Sequence, residues 1–470
     1  MNRTALFVIP AYLLIVTVFV GYVGSKMKSY KDFALGGGTL PWYIIAGTMF
    51  AAMIGGGVMI GYVGRYYTIG MEWGWMSFGI FAGYLFLLLY AGARIKRLGL
   101  FTVGDIFRVR YGRTAKIAVS IMNLVADFAV YCAMLASFTA IMNGYVGLDR
   151  DTAMIFGLLL FIVSASLGGL KGVAYADLVQ SFLIIAGVFI VGILAYQHAG
   201  GFAGLSKLDP SLLNPFTPNI PPFKMFGYVL SLMLMVTVSQ STIIQKLNAC
   251  RSEAEAKKAL FCVAVAVSIS LIFLISLMGL SARVIYGTSI TSEDQVIVKL
   301  LSGLNPIVSV IYSAAIVAAI LTTANSMLIS ASMTFSVDLV KDHCPQIPDK
   351  KLVLLSKFFI LAVASIGFIL VRFVPQVIKW ILITYTMQAC LFVPLYGGFI
   401  SKKPTSLSAV LAIVFSGVGV IFWELNKMPF GVHSVFIALG FGLVGMLIGM
   451  CAGKTATEEQ QRVVDLFTQK

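Results

Sequence analysis

Charge is scarce in this sequence: 11% of its 470 residues are Asp, Glu, Lys or Arg, and only 19 are acidic. The six cysteines, Cys132, Cys250, Cys262, Cys344, Cys390 and Cys451, fall into no CxxC or Cys/His spacing. That argues against a disulfide framework or a zinc site and leaves free thiols. No HExxH, GxSxG or Ser/Lys dyad occurs in the apolar runs, so an intramembrane enzyme lacks its machinery. The tail after Lys454 is short and charged, and is expected to carry no catalytic or sensor domain.

What the chain has instead is apolar surface. It is 59% hydrophobic with a mean hydropathy of +0.95, more than a soluble protein of this length can hide and what a bilayer accepts. The net charge of +15 would suggest nucleic acid if the basic residues formed one face. They are scattered in short loops between apolar runs, which points to positive-inside topology and to no nucleic-acid partner.

Runs long enough to cross a hydrocarbon core occur about thirteen times, near residues 4–25, 42–68, 74–93, 116–146, 152–167, 175–197, 225–247, 258–286, 306–337, 352–372, 376–399, 406–425 and 431–452. Alternate loops hold most of the Lys and Arg. This puts the N-terminus outside and the C-terminus in the cytoplasm of a plasma membrane, a bacterial inner membrane. The first run has no small-residue cleavage site before Lys26 and reads as a retained helix. Residues 99–112 are too polar to cross and read as an interfacial or cytoplasmic helix.

Two spans are interrupted. The second carries Gly55, Gly56 and Gly57 at its middle, each costing about 1 kcal/mol against Ala in a helix; close helix packing is the alternative explanation. The seventh carries Ser239, Gln240 and Ser241 in succession, where the alternative is an interhelical hydrogen-bond cluster. The breaks open two successive blocks of five spans, residues 42–197 and 225–399. Broken helices at matching places point to a solute site between inverted repeats. An extra helix (residues 4–25) precedes this core; two helices (406–452) and a cytoplasmic tail (453–470) follow it. The whole reads as one transmembrane domain, 1–470.

The ninth span contains residues 313–338, SAAIVAAILTTANSMLISASMTFSVD. Hydroxyls in that number gain nothing from lipid and should face protein or a cavity. At 100° per residue Ala319, Thr322, Thr323 and Ser326 share one face, a candidate floor for an ion site. Among the few intramembrane acids are Asp127 and Asp177; a buried carboxylate usually faces a cavity, a cation or a partner. Nothing basic lies near the proposed centre, which favours a cationic, zwitterionic or neutral solute over a simple anion. Phe128 and Tyr131 flank Asp127, an arrangement suited to an ammonium group.

The runs LGGGTLPWYIIAGTMFAAMIGGGVMIGYVGRYYTIG, LGGLKGVAYADLVQSF, QSTIIQKLNACRSEAEAKKAL and AAILTTANSMLISASMTFSVDLV together resemble the sodium/solute symporter family, in order and over nearly all of the first eleven spans. The resemblance implies an all-α, LeuT-type inverted-repeat fold with broken helices 2 and 7, and sodium as the coupling ion with no organic cofactor. It implies a main sodium site at the carbonyls of Ala51, Ile54 and Ala319 with the hydroxyls of Thr322 and Thr323, an oxygen-only set suited to a hard cation. A second sodium site nearer the cytoplasm would draw on Asp177, Thr322, Asn325 and Ser326, with Asn325 where the sialic acid transporter has serine. Position suggests Met53, Gly57, Phe128, Gln240 and Ser241 for the solute, beside Asp127. Gly55, Gly56, Gly57 and Val58 at the second-helix break, and Val236 and Thr237 before the seventh-helix break, differ from the residues of the sugar transporters, so a sugar is disfavoured. The chain is therefore expected to import a small organic solute (amine, zwitterion or other small metabolite) with sodium by alternating access. The alternatives are proton coupling through Asp127 or Asp177, or a small monocarboxylate as solute.

Overall fold

The computed structural model describes residues 3–25, 38–100, 102–216, 219–239, 243–374, 377–453 and 456–469. Among them nine helices are long and apolar enough to span a membrane, and Trp42–Met53 and Pro222–Val238 are shorter apolar helices. Large apolar side chains remain on the outside, Leu89 at 76% and Phe182 at 67% exposure among them. Water would drive such a surface to aggregate; lipid tails solvate it.

The first helix, α1 (Arg3–Ser25), packs along the outside. The second span is two pieces. α2 (Trp42–Met53) ends at Ile54, whose φ −86° and ψ 50° leave the helical region, and the chain turns helical again in α3, a π-turn Gly57–Tyr62 running on into Val63–Ile69. α4 (Gly74–Phe86) continues to Arg97. The interfacial helix α5 (Val103–Tyr111) is N-capped by Thr102, whose Oγ1 accepts from the Asp105 N–H, and α6 (Arg113–Ile141) follows. α7 (Arg150–His198) covers two expected spans, 152–167 and 175–197; Gly169 separates its arms with φ 51° and ψ −172°, a conformation open to glycine.

The seventh span is also divided. α8 (Pro222–Val238) stops at Ser239, and helix resumes in α9 (Gln245–Ala249). After α10 (Glu253–Ile269), which continues to Tyr286, comes α11 (Pro306–Met333). It is the innermost span, 83% buried against 17% for α1. The hydroxyl-rich sequence is thus the one that meets protein on all sides. α12 (Asp349–Phe373) precedes a departure from expectation. Residues 376–399 do not form one helix but α13 (Val377–Ala389) and α14 (Phe392–Ile400). Pro394 lacks an N–H, and its ring clashes with the carbonyl four residues back, at Cys390, where the turn falls. α15 (Ser406–Leu425) and α16 (Ser434–Ala452) pair with each other, and α17 (Glu458–Thr468) packs on α5 and α14.

Candidate ion and solute site

The break in the second span leaves the carbonyls of the last turn of α2 without amide partners from their own helix. α11 brings hydroxyls to them. Thr322 Oγ1 lies 3.2 Å from the Ala51 carbonyl and 3.0 Å from that of Ala319. Thr323 Oγ1 lies 2.8 Å from the Ala319 carbonyl, 3.3 Å from Ala52 and 3.5 Å from Ala51. All are buried, as is Ile54. Two hydroxyl protons thus face three carbonyl oxygens in a site with no formal charge. Electron-rich oxygens in that excess suit a hard monovalent cation. The Ala52 carbonyl was not among the expected ligands; only the three-dimensional approach of Thr323 picks it out.

The glycines make this approach close. A Cβ on Gly55 would run into Thr323 Oγ1, and one on Gly56 into Ile320 and Ser137. Break and close packing, the two readings of the Gly triplet, are both realised.

A cavity of about 60 Å³ adjoins the oxygen cluster, and Thr323 belongs to both. α2 and α3 contribute Ala52, Met53, Gly55, Gly57 and Val58; α6 contributes Val130 and Met134; α8 and its end give Met235 and Ser239; α11 gives Met327; α13 gives Thr384, Tyr385 and Gln388. Met53 and Gly57 therefore line it. Asp127 and Phe128 do not. Asp127 sits three residues before Val130, one turn down the same buried stripe of α6, while Phe128 is turned about 100° away and half-buried. Gln240 and Ser241 lie outside the described residues. The α13 residues were missed, although ITYTMQAC sets hydroxyls and an amide into an apolar span, the signal used for α11. Gln388 Oε1 is buried with no hydrogen-bond partner among the described residues.

Of the residues expected at the second ion site, Asp177 and Asn325 have different hydrogen-bond partners. Asp177 Oδ2 accepts from Thr48 Oγ1 on α2, whose carbonyl accepts from Lys246 Nζ at 2.8 Å. Asn325 Oδ1 accepts from Ser164 Oγ at 2.6 Å. Ser326 Oγ is buried with no partner among the described residues.

Two helices broken at the membrane centre, an oxygen cluster at one break and an adjoining cavity define a LeuT-type transporter, an integral membrane protein. The model of the sodium:solute symporter family matches residues 33–414, and the chain belongs to that family. It is 27% identical to the sodium/glucose cotransporter of Vibrio parahaemolyticus, over 89% of this chain and 80% of that one. It is 23% identical to the sodium/pantothenate symporter of Haemophilus influenzae, over 97% and 98%. The high-affinity proline transporter of Bacillus subtilis is 25% identical, over 75% and 78%. In fold, a sodium-coupled sialic acid symporter solved in a substrate-bound outward-open state superposes with a TM-score of 0.84 at 18% identity, over 97% and 98% of the two chains. A LeuT-type transporter, MhsT in complex with L-phenylalanine, gives 0.56 at 16% identity, over 87% and 97%.

Proposed function

We propose that this symporter imports a small organic solute by alternating access, with sodium held by the Ala51, Ala52, Ile54 and Ala319 carbonyls and the Thr322 and Thr323 hydroxyls. The single observation that carries the reading is the meeting of both threonine hydroxyls with the carbonyl end of α2. Positive-inside charge supports an N-terminus outside and a C-terminus in the cytoplasm.

The cavity narrows the solute. Four methionines, Met53, Met134, Met235 and Met327, make the wall apolar and adaptable. No carboxylate lines it among the described residues, so a bare amine finds no counter-ion there. The glycine amides that open α3 form a helix N-terminus without a side-chain cap, favourable to a carboxylate. A zwitterion fits best, and these amides favour a small monocarboxylate as the second reading. A thermal-shift screen of the purified protein, with and without sodium, across amino acids, betaines, monocarboxylates, amines and sugars tests this. Amino acids or betaines should raise the midpoint only with sodium present. Stabilisation by sugars alone, or with no sodium requirement, would overturn the assignment.

A further inference from the structure

Asp177, 1% exposed, lies on the arm of α7 after Gly169. A carboxylate in such a place needs a compensating positive charge or a proton, because burying an ion costs several kcal/mol. The resemblance would supply a second sodium, and three of the groups meant to hold it make hydrogen bonds within the protein. Thr322 Oγ1 lies on the Ala51 and Ala319 carbonyls. Asn325 Oδ1 is held by Ser164, and Asp177 Oδ2 by Thr48.

A cation is already present. Lys246, 0% exposed, stands on α9 just past the break of the seventh span. Its Nζ donates to the Thr48 carbonyl at 2.8 Å, so Thr48 meets the anion through its hydroxyl and the cation through its carbonyl. The two charges interact across that one residue. Tyr12 of α1 also faces the carboxylate, and its phenol oxygen accepts from Gln180 Nε2 at 2.8 Å and brings no positive charge.

We propose that the Lys246 ammonium is a built-in cation taking the place of a second sodium at Asp177, so that each chain binds a single sodium, at the junction of α2 and α11. A sodium beside Asp177 would meet the Lys246 ammonium as a like charge across Thr48, and like charges repel strongly in a low-dielectric interior. With Lys246 neutralised by mutation, the same sodium would instead balance Asp177. The inference rests on the sodium-symport reading of the oxygen cluster.

Equilibrium binding of radioactive sodium to the purified full-length protein at pH 8, with no solute added, counts the ions. Wild type should saturate at one sodium per chain, and Thr323→Ala should weaken that binding. Lys246→Gln and Lys246→Met should each gain a second sodium, and Lys246→Gln combined with Asp177→Asn should return to one. Two sodium ions on wild type would overturn the proposal even if neither Lys246 variant folds. So would a count that stays at one in folded Lys246 variants. Absence of binding in wild type would instead overturn the sodium reading beneath it.

Discussion

At the scale of single residues, the ion site turns on a shortage of protons. Thr322 and Thr323 can each donate once, and the carbonyls of Ala51, Ala52 and Ala319 are all within 3.5 Å of them. A cation uses the lone pairs that remain. Thr323→Ala is expected to raise the half-saturating sodium concentration more than Thr322→Ala, because only Thr323 reaches the Ala52 carbonyl and the cavity wall. A loss of about 0.5–1.5 kcal/mol per polar contact corresponds to roughly 2–10-fold, read from sodium titrations of thermal stability; equal and unshifted titrations would contradict the assignment. Gly55→Ala places a methyl on Thr323 Oγ1, so overpacking of about 1–3 kcal/mol should lower Tm and blunt the sodium response together. Gln388→Leu should leave the sodium titration alone and weaken only the solute's stabilisation, since Gln388 lines the cavity and its Oε1 has no partner among the described residues. The threonines were legible in the sequence because hydroxyls stand out in an apolar helix. Lys246 was not: it reads as one more basic residue at a helix end, and only the fold sets it against an aspartate 69 positions earlier.

At the scale of elements, α11 is fixed at both of its working regions. Its middle meets the break of α2, and its far end runs through a π-turn, Thr334–Lys341, into a buried charge network on the basic face. Lys116 Nζ of α6 lies 3.2 Å from Asp105, 3.4 Å from Asp338 and 3.7 Å from Asp342. Arg108 and Arg113 reach Asp342 at 2.8 and 2.9 Å, and Thr102 Oγ1 donates to Asp338 at 2.8 Å. Three carboxylates and three cations thus join α5, α6 and α11, and a Cβ on Gly104 would strike the Asp338 carboxylate. Removing one partner of a buried ion pair costs about 3–5 kcal/mol, largely through the charge left behind. Lys116→Met is therefore expected to lower Tm strongly, and adding Asp338→Asn should recover part of the loss. A double variant no better than the single one would show that Lys116 stabilises by packing alone. The elements themselves were readable from apolar run length, and the central breaks from Gly55–Gly57 and Ser239–Ser241. The break at Cys390 was not, because a single Pro394 in an apolar run signals a kink as readily as a break.

At the scale of the molecule, alternating access requires that one face open while the other stays shut, and on both faces the broken second span is tied to a neighbour. On the basic face the inner pieces are held by Leu40 N–H to the Ala249 carbonyl at 3.0 Å, Lys246 to Thr48, and Arg251 Nε to the Thr39 carbonyl at 2.8 Å. On the opposite face Arg65 of α3 lies 3.2 Å from Glu293, Thr68 Oγ1 donates to the same carboxylate at 3.2 Å, and the Ile290 N–H donates to the Tyr67 hydroxyl. The two sets differ in kind. Two of the basic-face ties, Leu40 to Ala249 and Lys246 to Thr48, are buried, and that of Arg251 is exposed; the Arg65 and Glu293 side chains are 27% and 23% exposed, so solvent weakens that pair. A partly exposed ion pair stabilises by at most about 1 kcal/mol, and the opposite face is accordingly the easier one to open. Glu293→Gln should shift the population toward opening on that face by about 2–5-fold. The measurement is the rate at which a membrane-impermeant maleimide reaches a cysteine placed at Val58 in a protein freed of its own cysteines. The rate should rise in Glu293→Gln and rise further with sodium, because an ion joining α2 to α11 favours the state in which those helices stay together. A rate unchanged by the substitution would mean that the outer ties do not hold the gate, and a rate lowered by sodium would assign the ion to the opposite state of the cycle.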